Sequence, residues 1–232
     1  MNFNFGNLNN TNFTSPAGQY LKPYGIYSVN LTKIEKDELK GKDGTVYPII
    51  KLEFTGVGES KGTFETNLFI PTSEKDMERR TVTNSNGHES KRPSSFENFQ
   101  YTLMQIVEVL NPKGAEKIKE NGDKIKTIDQ FIDLIFKALK GKENVTTNLK
   151  LVGRNNQGKI FAALPSACGL NKKDEIFATN FIGENLFFSN YEETQQKAYQ
   201  NAKPTSMPAD DTTEDNPDKA GDDVDLDIDL DD

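Results

Sequence analysis

The sequence predicts a mainly β protein with a helical insertion and a disordered acidic tail. Three segments that alternate apolar and polar residues come first, two segments of helical periodicity follow, and at least two further strand-like segments come after them. Near the C-terminus the sign of the charge changes, which separates a folded body from a tail. Three strands, a helical segment and two strands are the element order of an OB-fold, so an OB-fold-like five-stranded barrel is expected. A β-sandwich with helical excursions is the alternative.

Three strands are predicted in the first third of the chain, over residues 24–34, 46–55 and 61–70. Tight turns join them, the first of which carries the Asp-Gly signal of a hairpin within 40–45. The residues expected to face inward are Tyr27, Val29, Leu31, Ile50, Leu52, Phe54, Phe64, Leu68 and Ile70. Short turns between alternating strands predict an antiparallel meander.

A helical insertion is predicted over residues 94–141, after a long polar loop at 71–95. Ser94 and Thr127 each begin an apolar run of helical spacing with a capping pattern, and Pro112 ends the first run. The apolar stripes of both helices are expected to lie in the core.

The chain then returns to strand at 145–153 and 159–164, with one or two more strands expected within 176–188 and a short polar helix at 192–202. The predicted organisation is therefore a flexible N-terminal arm at 1–18, an OB-fold-like domain at 19–203 and a disordered tail at 204–232. The phenylalanines of the arm could pack on the body, stack on bases or mediate self-association, which leaves a homo-oligomer open.

The composition argues against an enzyme. The chain has one histidine, His88, in a polar stretch, and one cysteine, Cys168, which is expected to be a buried structural thiol. No phosphate-binding loop motif occurs, and no cofactor or metal site is expected. A single cysteine suggests a reducing compartment, and with no signal-like or membrane-spanning segment this favours a cytoplasmic protein. A nuclease that uses only carboxylates and a metal stays open.

The acidic tail hides a basic body. Residues 209–232 hold twelve Asp or Glu and one Lys, a net charge of −11. Because the whole chain carries −8, residues 1–208 carry +3. Net charges of opposite sign favour a body that binds a polyanion and a tail that competes with the polyanion or recruits partners. Four apolar residues alternate with the tail carboxylates and are candidate partner contacts: Val224, Leu226, Ile228 and Leu230.

A barrel that binds single strands needs cations for phosphates and aromatic faces for bases. The predicted strand registers and loops supply candidates of both kinds: Tyr47, Lys51, Phe69, Arg79, Arg80, Lys150, Arg154, Lys159 and Phe161. Tyr47 is equally well read as a half-buried residue of the barrel rim, and core packing is the alternative for Phe69 and Phe161. Each lysine taken singly is most simply a solvated surface residue, so the prediction depends on the set.

A basic β-barrel body, a flexible segment and an acidic C-terminal peptide together resemble the single-stranded DNA-binding proteins of bacteria and, more closely, of tailed bacteriophages. The resemblance covers about residues 24–164 and the tail from 209. It implies a protein in the cytoplasm of a bacterial or phage-infected cell, whose body coats single-stranded DNA. It also implies that the tail docks replication or recombination proteins and competes for the DNA groove.

The sequence therefore predicts a non-enzymatic, sequence-independent single-stranded DNA-binding protein of replication, recombination or repair, without membrane contact. An acidic DNA mimic or interaction scaffold is the alternative. A structural or scaffolding protein of a phage also fits the composition.

Overall fold

The computed structural model describes residues 20–83, 87–156 and 158–201. The predicted arm at 1–18 and the acidic tail lie outside these residues. The strands are β1 (Gly25–Lys40), β2 (Val46–Gly56), β3 (Thr63–Phe69), β4 (Arg80–Thr83), β5 (Glu89–Arg92), β6 (Thr146–Asn156), β7 (Lys159–Ala163), β8 (Cys168–Leu170) and β9 (Ile176–Ala178). The helices are α1 (Ser95–Leu110), α2 (Pro112–Glu120), α3 (Ile128–Leu139) and α4 (Asn190–Asn201).

The main sheet is antiparallel and has the strand order β3-β2-β1-β6-β7. The predicted meander of the first three strands is confirmed, and the two strands after the helices extend the sheet on the other side of β1. Within the described residues β3 and β7 are not paired, so no closed barrel is present. With four helices besides the sheet, the fold is mixed strand and helix rather than mainly β.

The long first strand is shared by both halves of the sheet. Its beginning, Gly25–Asn30, pairs with β6, and the pairing with β2 runs from Val29 to Lys40. A register irregularity between Leu31 and Lys33 reverses the alternation, so Val29 and Leu31 face the core before it and Ile34 packs against the core after it. A bulge of this kind bends a strand, which lets one strand serve two differently oriented partners.

The helices begin where the capping patterns predict. The Ser94 hydroxyl accepts from the Glu97 N–H and the Glu97 carboxylate accepts from the Ser94 N–H, a capping box for α1. Thr127 and Gln130 form the same arrangement at α3. The apolar stripes of both helices lie in the core as predicted: Phe99, Leu103, Ile106, Val107, Leu110, Phe131, Ile135 and Leu139.

Three features of the helices and loops were not predicted. Pro112 ends α1 but also occupies the first turn of α2, a position where the missing proline N–H breaks no helical hydrogen bond. The predicted loop at 71–95 contains the β4–β5 hairpin. The expectation of one or two strands over 176–188 is confirmed by β9 and by a bridge from Ile182 to Leu149, but β8, the partner of β9, was not predicted.

The core lies between the inner face of the sheet and the helices. The inward-facing residues of β2, Ile50, Leu52 and Phe54, are fully buried there, as predicted. Helix α4 differs from the other three because it buries no residue of its own. No helix in the described ranges is long and apolar enough to cross a membrane.

Candidate nucleic-acid interface

The face of the sheet turned away from the helical core, here called the outer face, carries most of the predicted site residues. Strand alternation places Tyr47 and Lys51 on this face of β2, and the register sets Ile49 opposite Phe69 and Lys51 opposite Asn67. The predicted split of β2 and β3 into an inner and an outer set is therefore confirmed.

Two aromatic rings at one end of the outer face form an exposed pair, called the aromatic end. The Tyr47 and Phe69 rings meet edge to face with centroids 6.0 Å apart. Tyr47 is 41% exposed and Phe69 56% exposed. Leu39, also exposed, lies directly opposite Tyr47 on β1. Neither ring lies in the core, so the core alternative for Phe69 is wrong and both rings offer surface on which a base could stack.

The middle of the outer face is acidic. Strand alternation puts four carboxylates on this part of the face: Glu35 and Asp37 of β1, Glu53 of β2 and Glu65 of β3. The basic residues among them are Lys33 and Lys51. Both lysines pair with these carboxylates: Lys33 Nζ lies 2.7 Å from Glu35 and Lys51 Nζ 3.3 Å from Glu65. Lys51 is thus on the predicted face but already has an anionic partner, and the strip as a whole repels phosphates.

A second exposed patch lies on the β6–β7 hairpin and is called the β6–β7 patch. Arg154 and Phe161 are cross-strand partners, and Lys159 lies opposite Asn156 near the turn. All three predicted residues are exposed, with Phe161 at 52%. Strand alternation puts Arg154, Lys159 and Phe161 on the outer face, so an aromatic ring and two cations are adjacent there.

The predicted exposure of Lys150 is wrong. Lys150 is 4% exposed, and its Nζ lies 3.1 Å from both carboxylate oxygens of Glu192. The same Nζ donates to the Phe187 carbonyl at 3.1 Å and lies 5.7 Å from the centre of the Phe188 ring. Strand alternation did point this side chain to the outer face, but α4 and the segment before it cover that part of the face. Lys150 therefore holds α4 to β6.

Of the two arginines predicted in the loop, Arg79 also has a structural role. Its guanidinium donates to both carboxylate oxygens of Glu97, the shortest at 2.7 Å, and to the Asp174 carbonyl at 2.6 Å. Hydrogen bonds from the Arg79 guanidinium lower the pKa of Glu97. Arg80 is exposed at the start of β4, opposite Arg92 of β5, and these two side chains present adjacent positive charge.

Sequence reasoning missed several residues. Glu192 lies in the predicted polar helix, and Ser189 and Glu192 have the spacing of a capping box and do form one at the start of α4. Tyr24 was also missed: its carbonyl accepts from Gln196 at 2.7 Å and its ring lies 5.7 Å from that of Tyr199. Three exposed aromatic residues that were not proposed as contacts are Tyr20, Phe177 and Phe187.

The His, Cys, Asp and Glu side chains of the described residues are the candidates for metal binding or thiol chemistry. Among them, no group of three or more His, Cys, Asp or Glu side chains is placed to hold a metal ion. Cys168 is buried, and this burial raises the pKa of its thiol to about 11. A thiol with this pKa is protonated at neutral pH and is a poor nucleophile.

The partner contacts predicted in the tail, Val224, Leu226, Ile228 and Leu230, lie outside the described residues. Comparison of the chain with protein-family models, with curated proteins and with solved structures found no match.

Proposed function

We propose that this chain is a sequence-independent single-stranded DNA-binding protein that acts without catalysis in replication, recombination or repair. The observation that carries the proposal is the exposed Tyr47–Phe69 ring pair on the outer face of β2 and β3. A contiguous exposed apolar patch marks an interaction surface more often than a single exposed ring does, and bases stack on aromatic rings without sequence preference.

The arrangement of strands supports an OB-fold-like interpretation. An OB-fold is a partly open Greek-key barrel of five strands, and it binds oligonucleotides on the face of its second and third strands and on two loops. The order β3-β2-β1-β6-β7, the bent first strand shared by two partners and the helices between the third and fourth strands of the sheet match that pattern in an open form. The aromatic end and the β6–β7 patch then occupy the expected ligand face and one of the expected loops.

The acidic strip limits where phosphates can lie. Carboxylates in the middle of the outer face disfavour a backbone path across it, because like charges at short range repel. Cations on this face are instead available beyond the strip, in Arg154 and Lys159 at the β6–β7 turn. We therefore propose that a single strand contacts the two patches separately and crosses the strip with its phosphates turned to solvent.

The proposed role of the tail follows from its charge. A segment of −11 tethered to a body of +3 competes for the same cations as DNA, and the tether raises its effective concentration to about the millimolar range. We propose that the tail also recruits replication or recombination proteins.

Alanine substitution in the two patches tests the proposal. Each base-stacking ring contributes about 1–3 kcal/mol, so Tyr47→Ala and Phe161→Ala should each weaken binding of an oligo-dT roughly five-fold or more. Phe177→Ala is the matched control, because Phe177 is 50% exposed and lies on β9, outside the main sheet. Binding is measured by fluorescence anisotropy, with circular dichroism to show that each variant is folded. Unchanged affinity for both patch variants removes this face as the binding site.

A further inference from the structure

Strand β7 ends the main sheet with an unused edge. Its five residues pair with β6 from Val152 to Asn156, and within the described ranges no hydrogen bond joins its other edge to any element. An open edge presents a row of unpaired N–H and C=O groups, which is a template for one more strand.

The two faces of this edge differ in chemistry. On the outer face it carries Lys159 and Phe161, with Arg154 adjacent on β6. On the inner face it carries Ile160, which is 39% exposed although strand alternation turns it toward the core side, and Ala162. A strand that fits this edge needs anionic side chains on one face and apolar side chains on the other.

One segment of the chain has that pattern. Residues 223–231 read Asp-Val-Asp-Leu-Asp-Ile-Asp-Leu-Asp, with a strict period of two. In a strand, this period places all five carboxylates on one face and Val224, Leu226, Ile228 and Leu230 on the other. A solvating tail gains nothing from such alternation, whereas a strand that joins a sheet depends on it.

We propose that residues 223–231 of the chain's own tail add to the free edge of β7 as a further strand of the main sheet. The tail's apolar side chains then lie beside Ile160 and Ala162, and its carboxylates lie beside Arg154, Lys159 and Phe161. Main-chain hydrogen bonds supply affinity in strand addition of this kind, and alternate side chains supply specificity.

Charge selects β7 over the other open edges. The β3 edge carries Glu65 on the outer face with Glu53 behind it, so tail carboxylates there would meet like charge. The edge of β5 bears Lys91 and Arg92, but all four of its residues are polar and it offers no apolar face. The edge of β1 beyond Asn30 is also open, but it carries Glu35 and Asp37 on one face and Glu38 on the other. Of the open edges of β1, β3 and β7 in the described residues, only that of β7 carries basic and no acidic residues.

The tether is long enough. Near the C-terminal end of α4 the Tyr199 ring lies 5.7 Å from the Tyr24 ring, which lies against Gly153 of β6, so the chain leaves the described body close to the strand next to β7. The 21 residues at 202–222 span roughly 25 Å as a flexible coil and about 70 Å when extended. The coil length is comparable with the dimensions of a domain of this size and the extended length is larger, so residues 223–231 can reach β7.

Strand addition by the tail would cover the β6–β7 patch. The pairing does not require that the body bind DNA; its regulatory meaning rests on the proposed function. If that function holds, the tail and a single strand cannot both contact Arg154, Lys159 and Phe161, which gives the electrostatic competition a defined place.

Engineered cysteines in the full chain test the pairing without DNA. In a Cys168→Ser background, Ile160→Cys is combined in turn with one cysteine at each tail position from 223 to 231. Disulfide formation under mild oxidation is followed by non-reducing gel and peptide mass. Directly opposed residues in paired strands have Cβ atoms within about 5.5 Å, close to the separation that a disulfide needs. We therefore expect intramolecular cross-linking that alternates with period two and is highest within the apolar set.

Two controls make the result decisive. Thr66→Cys on the β3 edge replaces Ile160→Cys, and Arg154→Glu with Lys159→Glu reverses the charge of the β6–β7 patch. The inference predicts weak cross-linking at Thr66 and loss of cross-linking in the charge-reversed chain. A yield that varies smoothly along the tail, equal yields at the two edges, or only intermolecular products would overturn it. Oligo-dT binding is measured separately, so that failure of the DNA-binding proposal and failure of strand addition give different results.

Discussion

The buried pair between Lys150 and Glu192 leads to the most quantitative prediction. Glu192→Gln removes the charge that partners a lysine whose side chain is only 6% exposed. Breaking one side of a buried ion pair costs about 3–5 kcal/mol when the remaining charge stays buried. Helix α4 buries no residue, so it can move away and let water reach Lys150, which holds the loss near the lower end of that range. We expect the free energy of unfolding to fall by about 3 kcal/mol, equivalent to a decrease in Tm of roughly 6–12 °C.

The chain offers a matched control for this variant. Lys91 and Asp174 form an ion pair at 2.8 Å, but their side chains are 52% and 46% exposed. An exposed pair contributes about 0–1 kcal/mol, so Asp174→Asn should change the free energy of unfolding little. Asparagine also tolerates the positive φ of 60° at this position. Both variants are measured by urea unfolding and thermal melts followed by circular dichroism.

A double replacement separates a structural role of Lys150 from a DNA contact. Lys150→Met with Glu192→Met substitutes apolar groups of similar length for the pair, a change that is often neutral or stabilising. We expect this variant to keep both the stability and the oligo-dT affinity of the original chain. A Glu192→Gln variant that unfolds at the same urea concentration as Asp174→Asn would refute the buried pair. A folded double variant that binds oligo-dT several-fold more weakly would show that Lys150 contacts DNA after all.

Two further predictions concern the tail and acid stability. Deleting residues 209–232 should tighten oligo-dT binding, most strongly at low salt. Added salt screens the charge of the tail, because the Debye length falls from about 30 Å at 0.01 M to about 10 Å at 0.1 M. Equal affinities of the two chains at 0.01 M salt would contradict this. Because Arg79 lowers the pKa of Glu97 below its ordinary 4.5, the carboxylate stabilises the fold above that pH and loses its contribution as the pH falls through the lowered pKa. Glu97→Gln should therefore be less stable than the original chain at pH 7, and the difference in urea midpoint should shrink below pH 4. A constant difference across this range would show that ionisation of Glu97 does not contribute to stability.

Local patterns predicted the strands and much of the outer face. Alternation in β2 and β3 was enough to put Ile50 and Phe54 inside and Tyr47 and Phe69 outside, because one face of each strand packs on a core. The capping boxes at Ser94 and Thr127 located both long helices, since they satisfy backbone groups that every helix start leaves unpaired.

Features that depend on distant contacts could not be predicted in this way. The partner of Lys150 is 42 residues away in a helix with no apolar stripe, so nothing near Lys150 indicates its burial. Arg79 is occupied by Glu97 and by the Asp174 carbonyl, which come close only in the folded chain. Barrel closure requires pairing between β3 and β7, and the order of elements along a chain does not state whether its first and last strands meet.

The most direct test of single-stranded DNA binding is a fluorescence-anisotropy titration of labelled oligo-dT with the full chain over a series of salt concentrations. Binding that neutralises roughly 3–5 phosphates gives a slope of log K against log salt of about −2 to −3.5 for a single strand. We predict a slope in this range, and weaker binding to a duplex of the same length, because paired bases cannot stack on Tyr47 and Phe161. No binding at 0.05 M salt, or an affinity that does not change with salt, would contradict the proposed function.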